Sequence, residues 1–306
     1  MAKQSDVHLS RDGEVTSRNF THLGYDRLIT GVYGHATPLR DVDERARRRA
    51  ELIDRARAII AVYGNKGVAL YGPTALQLLQ VALPNRLEDW NNCHVLVPPD
   101  VARPRRSGVV AHRGNRPFKI QYRVAGLPLL HPAEHWLQLP EATVDELVEV
   151  GDGLCRRRNP LTTLGDLCAQ ANGHTGCAGS KNIRRALKDV TPGTDSIMET
   201  RTRLVLVRAG LPKPEVNLAV TCRASGRTFH VDMGYEMEQV AVEYDGQVHV
   251  GDRHQMEIDA NRRRQLQDEN WVVIPVTAAG LAEPDDIVRS VESALILRRA
   301  RMARRR

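Results

Sequence analysis

The chain has 306 residues, 42% of them hydrophobic and 26% charged, and carries a net charge of +7 at pH 7. That length suits two domains of ordinary size, and the composition excludes a disordered chain, a collagen-like repeat and a disulfide-stapled miniprotein. No run approaches the roughly 18 apolar residues of a membrane helix, and the polar stretch from Met1 to Asp12 lacks the apolar core of a secretory signal. A cytoplasmic protein with no membrane partner is therefore expected. The five cysteines (Cys93, Cys155, Cys168, Cys177, Cys222) form no C-x-x-C pair, so they read as reduced and mostly structural.

In chain order, residues 1 to 40 read as irregular apart from a short wing-like hairpin at Asp26 to Tyr33. Val42 to Tyr63 has the three-to-four spacing of a helix with one buried stripe, and Pro73 to Leu79 follows as a short helix opened by proline. Cys93 to Val97 and Val109 to Arg113 read as strands across a Pro/Arg loop. Short helices are expected at Pro132 to Leu139, Val144 to Cys155, Leu161 to Ala169 and Asn182 to Leu187. The polar, Gly-rich turns that follow place the domain boundary near residue 193. Beyond it the order is helix (Met198 to Ala209), three strands (Glu215 to Cys222, Thr228 to Gly234, Gln239 to Asp245), helix (Arg253 to Glu269), strand (Trp271 to Val276) and helix (Pro284 to Ala300). The fold class expected is mixed α/β (α+β), with a central mixed four-stranded sheet flanked by helices in the second domain.

Charge is unevenly placed. Residues 1 to 193 hold 27 Lys/Arg against 20 Asp/Glu, whereas residues 194 to 306 hold 17 of each, six of the basic ones being arginines in the last nine positions. A basic tail and the runs Arg45 to Arg49, Arg103 to Arg106 and Arg156 to Arg158 are compatible with DNA as partner, and equally with solvated faces.

Spacing alone brings carboxylates together. With Tyr235 to Glu238 as the hairpin loop, Gly234 pairs with Gln239, Asp232 lies opposite Ala241, and Glu243 is its diagonal neighbour on the same face as Asp245. Carboxylates on strands that otherwise read as buried repel one another and lose solvation, a cost that Mg²⁺ or Mn²⁺ offsets while keeping positions open for water and phosphate oxygens. The chemistry implied is metal-assisted phosphodiester hydrolysis. Strand-end carboxylates also simply face solvent or pair with arginines. Nearby, Gly246 offers a sharp turn, His249 a base or phosphate contact, and Glu199 a further carboxylate in the first turn of its helix, where a helix-dipole role is the alternative. Asp259, Arg262 and Arg263 stand at three-to-four spacing on the next helix, as a surface ion pair or as arginines turned to phosphate.

The segments SIMETRTRLVLVRAGLPKPEVN, FHVDMGY, VAVEYDGQVH and DANRRRQLQDENWVVIPVT, over about residues 195 to 280, resemble the Vsr-like (very-short-patch-repair-endonuclease-like) domain common in actinobacterial proteins. That domain belongs to the PD-(D/E)XK restriction-endonuclease-like superfamily. The resemblance implies a Mg²⁺-dependent endonuclease, a hydrolase of DNA in repair or defence. Asp232 would be its principal metal ligand, Glu243 the second, Glu199 the helix carboxylate and the Tyr244 carbonyl a further ligand. Asp245 and His249 would edge the catalytic site, with Asp259 and Arg263 behind them. Two departures stand out: Asp245 replaces the superfamily's lysine, and Pro275 stands where relatives tend to have arginine. The first half, residues 1 to 193, more loosely resembles AbiEi-type antitoxins, through LITGVYG, YGPTALQLL and the run from HVLVPPD to HPAEHWLQL. Only about 25 residues precede Leu28, too few for a complete winged helix-turn-helix. The alternative this resemblance carries is a non-catalytic DNA-binding regulator of a toxin–antitoxin kind, whose nuclease domain is degenerate. Toxin partner and oligomeric state stay open.

Overall fold

The protein's computed structural model describes residues 7–9, 25–30, 32–37, 42–223, 225–246 and 253–304, with backbone alone for 7–9, 253–257 and 259. The chain divides into two compact units, residues 1–150 with 165–188, and residues 151–164 with 189–306. The second unit thus gains a segment, 151–164, that the reading from sequence placed in the first.

In the first unit, strands β1 (Val7–Leu9), β2 (Asp26–Ile29) and β3 (Val32–Gly34) form a three-stranded antiparallel sheet in the order β1-β3-β2. Helix α1 (Glu44–Tyr63) starts where Asp43 accepts a hydrogen bond from the Ala46 N–H at 2.8 Å, satisfying one of the unpaired donors of the first turn. It buries Leu52, Ala56 and Ile59, the stripe its spacing implies. Strands β4 (Ala69–Leu70), β5 (Cys93–Val97), β6 (Val109–Arg113), β7 (Tyr122–Val124) and β8 (Leu127–Leu129) make a mixed five-stranded sheet in the order β6-β5-β4-β8-β7. Around it lie α2 (Gly72–Leu78), α3 (Pro132–Trp136), α4 (Val144–Leu154), α5 (Leu164–Gly173) and α6 (Ser180–Ala186), the unit boundary falling within α4. Trp136 is fully buried, and its indole N–H donates to the Leu147 carbonyl at 2.8 Å.

The second unit begins its main run with α7 (Ile197–Arg208), capped by Ser196, whose hydroxyl accepts from the Glu199 N–H. Strands β9 (Glu215–Thr221), β10 (Thr228–Tyr235) and β11 (Val240–Tyr244) then form an antiparallel meander. Helix α8 (Arg253–Asp268) crosses over to β12 (Val272–Val276), which lies parallel to β11 and gives the order β12-β11-β10-β9. Helices α9 (Ala278–Ala282) and α10 (Asp285–Ala303) close the unit. One apolar cluster joins Leu206 of α7 and Ile287, Val291 and Leu295 of α10 to Met233, Tyr235, Val240 and Val242. A second joins Leu266 of α8 and Trp271 to Leu218, Val220, Val231 and Ala241. Each such side chain contributes about 1.5–3 kcal/mol by leaving water, so a four-stranded mixed sheet clad by helices is what these runs of Val, Leu and Ile stabilise. No helix among the described residues is long and apolar enough to cross a membrane.

The hairpin register differs from the one derived from spacing. Tyr235 pairs with Val240 and Gly234 with Ala241, around the turn 236–239, in which Gln239 takes a φ of 53° and its N–H donates to the Glu236 carbonyl. Tyr235 stays in the strand because its ring is buried and its hydroxyl donates to the Pro212 carbonyl at 2.9 Å. Both strands move by one residue, so extending the register puts Asp232 in line with Glu243 rather than Ala241. The basic C-terminal segment lies largely on the last helix. Through Ala303 it is helix, where Arg299 pairs with Glu238 at 2.8 Å and Arg298 donates to the Asn270 carbonyl.

Candidate carboxylate site of the second unit

Asp232 stands where the sheet changes. The β9–β10 ladder pairs Val231 with Leu218 and Met233 with Val216 but skips Asp232 and Asn217, and Asn217 adopts a left-handed φ of 52°. Val231 packs in one apolar cluster and Met233 in the other, so the side-chain alternation of β10 also breaks here. On the other side, the pairing with β11 stops at Met233–Val242, and the Asp232 carboxylate takes over: its Oδ2 accepts the Tyr244 N–H at 2.8 Å. Burial raises the Asp232 pKa above the ordinary carboxylate value, against the pull of the Tyr244 N–H and the Arg262 charge.

Glu243 turns to α8. Its Oε1 accepts from Arg262 Nη2 at 2.6 Å, and the same nitrogen donates to the His230 carbonyl at 2.5 Å. Across the sheet Glu243 is in register with Pro275, which β12 tolerates as an edge strand. Glu199 completes a reciprocal cap at the start of α7, its Oε2 accepting the Asp195 N–H at 2.9 Å. Its pKa is nevertheless pushed up to about 7, first by burial and then by the charges of Asp232 and Asp195. Glu199 therefore feels the charge of Asp232.

The remaining expected site residues are placed unevenly. Asp245 is exposed, its N–H donating to the Val276 carbonyl at 2.7 Å. Gly246 does not adopt the positive φ its position allowed for. Arg263 is exposed on α8. His249 and the Asp259 side chain lie outside the described residues. Among the described residues no group of three or more His, Cys, Asp or Glu side chains stands where all could hold one metal ion. The shared face of Asp232, Glu243 and Asp245 is thus not formed as a closed three-ligand site: Glu243 faces an arginine and Asp245 faces solvent. What the donor set does fit is a hard cation of the Mg²⁺ kind, which binds through one or two carboxylates and keeps water and phosphate oxygens for the rest.

Most basic runs find partners within their own units. Arg47 and Arg48 pair with Glu44, Arg106 Nε donates to the Tyr63 hydroxyl at 2.9 Å, and Arg157 pairs with Asp195 beside the site. Spacing along the chain could not reveal a buried pair deep in the second unit. Asp152 accepts from Arg203 at 2.6 Å, from the Thr200 hydroxyl at 2.9 Å and from the Thr191 N–H at 2.7 Å. Nor did it reveal a polar chain in the first unit. There Asp89 meets His94 Nε2 at 3.0 Å, and His94 Nδ1 meets His112 Nε2 at 3.0 Å. The alternate positions of the two histidines on β5 and β6 were the only available signal.

No family model matches the chain. It is similar to the uncharacterized protein Rv2248 of Mycobacterium tuberculosis, and to the uncharacterized protein MT2308 of a second strain of that organism. Identity is 26% over 284 residues in each case, covering 92% of this chain and 95% of the relative. Among solved structures, the crystal structure of the RV2827C protein from Mycobacterium tuberculosis aligns over 72% of this chain and 85% of that one, at 14% identity and a TM-score of 0.37.

Proposed function

We propose that the second unit is a Mg²⁺- or Mn²⁺-dependent endonuclease that hydrolyses DNA phosphodiester bonds, of the Vsr-like, PD-(D/E)XK kind. One observation carries this reading: Asp232 sits at a break in two ladders, its carboxylate taking the N–H of Tyr244, the residue after Glu243, and its charge helps push Glu199 to about 7. Desolvated carboxylates with raised pKa values beside further acidic groups are a marked feature of functional sites. Asp232 and Glu243 would hold the ion, with the Tyr244 carbonyl beside them. When bound, the ion stabilises charge on the phosphoryl oxygens and lowers the pKa of the attacking water. Glu199, poised to hold or release a proton near neutral pH, is the chain's own acid–base group. Asp245 and His249 edge the site, and Arg262 and Arg263 meet the DNA backbone.

A second reading has an observation of its own. Arg262 already neutralises Glu243, which is how a degenerate site in a DNA-binding regulator of the AbiEi type would look. The two readings separate in one experiment. Supercoiled, mismatched, branched and single-stranded DNA are incubated with Mg²⁺ or Mn²⁺ and wild type, Asp232→Ala or Glu243→Ala. Metal-dependent nicking that both variants lose supports the nuclease. Equal inertness of all three, with salt-dependent DNA binding retained, refutes it in favour of the regulator.

A further inference from the structure

We propose that Arg262 is a switched phosphate ligand. In the free protein it holds Glu243; a divalent cation at Asp232 and Glu243 releases it to a backbone phosphate of duplex DNA, so that cation and DNA strengthen each other's binding. This inference rests on the nuclease reading and adds to it a coupling between its two ligands.

The contacts of Arg262 carry it. Both its bonds, to Glu243 Oε1 and to the His230 carbonyl, use the single nitrogen Nη2, and Nε and Nη1 make no hydrogen bond among the described residues. A guanidinium that presents only one of its nitrogens keeps the rest of its fork for a planar or tetrahedral oxyanion. The side chain is 31% exposed and that of Glu243 15%, so water and a ligand reach the pair from the arginine side. The surroundings are acidic: Asp232 lies within reach of the Arg262 charge, Glu199 and Asp195 act on the same carboxylate cluster, and Arg157 is already engaged by Asp195. A phosphate approaching these carboxylates is repelled until their charge is offset. A doubly charged ion on Glu243 does that, and it competes with Arg262 for the same carboxylate while repelling the guanidinium. The freed arginine then has the tether of α8 beside the strand ends, where the phosphate must lie for the ion to reach it.

The coupling has an unusual sign. Mg²⁺ ordinarily weakens protein–DNA binding by competing for the phosphates, so a gain in affinity on adding it is diagnostic. By linkage, DNA must raise the affinity for Mg²⁺ by the same factor. The test uses the full chain, a fluorescein-labelled duplex and Mg²⁺ alone at constant ionic strength. Anisotropy read at early times, before cutting sets in, gives DNA affinity, gels of the same samples show how much duplex is cut, and the melting shift without DNA reads Mg²⁺ affinity. In wild type Mg²⁺ should tighten DNA binding by about tenfold, within the ordinary range of coupling between sites. In Arg262→Gln the free protein should bind Mg²⁺ more tightly, its internal competitor gone, while the Mg²⁺-dependent gain in DNA affinity disappears. Arg262→Lys keeps a point charge and should fall between them, and it serves if the glutamine variant does not fold. An Arg262→Gln protein that keeps the tenfold gain overturns the inference. So does one that melts lower with unchanged Mg²⁺ affinity, which leaves Arg262 as an anchor of its helix. If wild type neither binds Mg²⁺ nor cuts DNA, the nuclease reading falls and takes this inference with it; if it does both while the variant stays coupled, the switch alone fails.

Discussion

Glu199 is the residue whose replacement tests the electrostatics most directly. Its carboxyl is pushed from the ordinary 4.5 to about 7 in the folded unit. Because the folded value is the higher one, folding takes up a proton. The associated stability is fully present below pH 4.5 and is lost as pH rises through 7. The gap between the two values is worth up to about 3 kcal/mol, and the partial exposure of the side chain reduces it, so about 1–3 kcal/mol is expected. Glu199→Gln cannot ionise, yet its amide oxygen still accepts the Asp195 N–H that Glu199 Oε2 now takes at 2.9 Å. The variant should therefore match wild type near pH 4.5 and exceed it by about 1–3 kcal/mol at pH 8. Calorimetric melting from pH 4.5 to 8 measures this as a transition several degrees higher in the variant at the alkaline end only. Carbon-13 titration of the Glu199 carboxyl should show a midpoint near 7 rather than near 4.5. Parallel pH profiles for the two proteins, or a midpoint near 4.5, would refute the coupling of Glu199 to Asp232 on which the site rests.

Asp152→Ala leaves Arg203 buried without its carboxylate, and unfolding of the second unit in urea should be easier by about 3–5 kcal/mol; the pair Asp152→Leu with Arg203→Met should cost less than either single change. Gly179 has a φ of 77°, and a Cβ there would lie 2.9 Å from the Pro140 Cα, so Gly179→Ala should destabilise the first unit by about 2–4 kcal/mol in the same assay. The His112 pKa is lowered by burial and by the charges of His94 and Arg103. A base with a lowered folded pKa costs stability as pH falls below 6.5, so His112→Gln should flatten the acid limb of the first unit's melting profile; an unchanged limb would exclude His112 as its cause.

The strands of the second unit were legible because VAVEY and WVVIPV are short, β-branched runs bounded by turn residues, a pattern that favours strand over helix. The hairpin parity was legible too, since a period of two survives any shift made equally in both strands. Its register was not, because nothing in the sequence says that Tyr235 has a carbonyl waiting at Pro212. Strand β4 has two residues, Ala69 and Leu70, and its partners Leu96 and Leu129 are far along the chain, so no local pattern announces it. The candidate carboxylates were legible as a set of positions. Their partners were not: Arg262 on α8 finds Glu243 on β11, and Arg203 on α7 finds Asp152 on α4, only through tertiary packing, 19 and 51 residues apart.

Glu199 also shows why a structural role alone does not account for this corner of the fold. A glutamate at the third position of a helix needs only to reach back to the N–H before the cap, and it does so best when ionised and near the positive end of the helix dipole, where its pKa falls. Here the cap is made and the pKa rises all the same, because the side chain is part-buried beside Asp232 and Asp195. An exposed glutamate would cap α7 without that penalty. Asp232 likewise could lie in an unbroken ladder, yet the ladder skips it, Asn217 opposite is held in a left-handed conformation, and the carboxylate substitutes for a missing strand partner at Tyr244. One arrangement is electrostatically and the other conformationally unfavourable, and a ligand bound only by the folded chain would offset both. The cation proposed above would lower the pKa of Glu199 and Asp232 together, and protection of both carboxyls against protonation by added Mg²⁺ is the direct test of it.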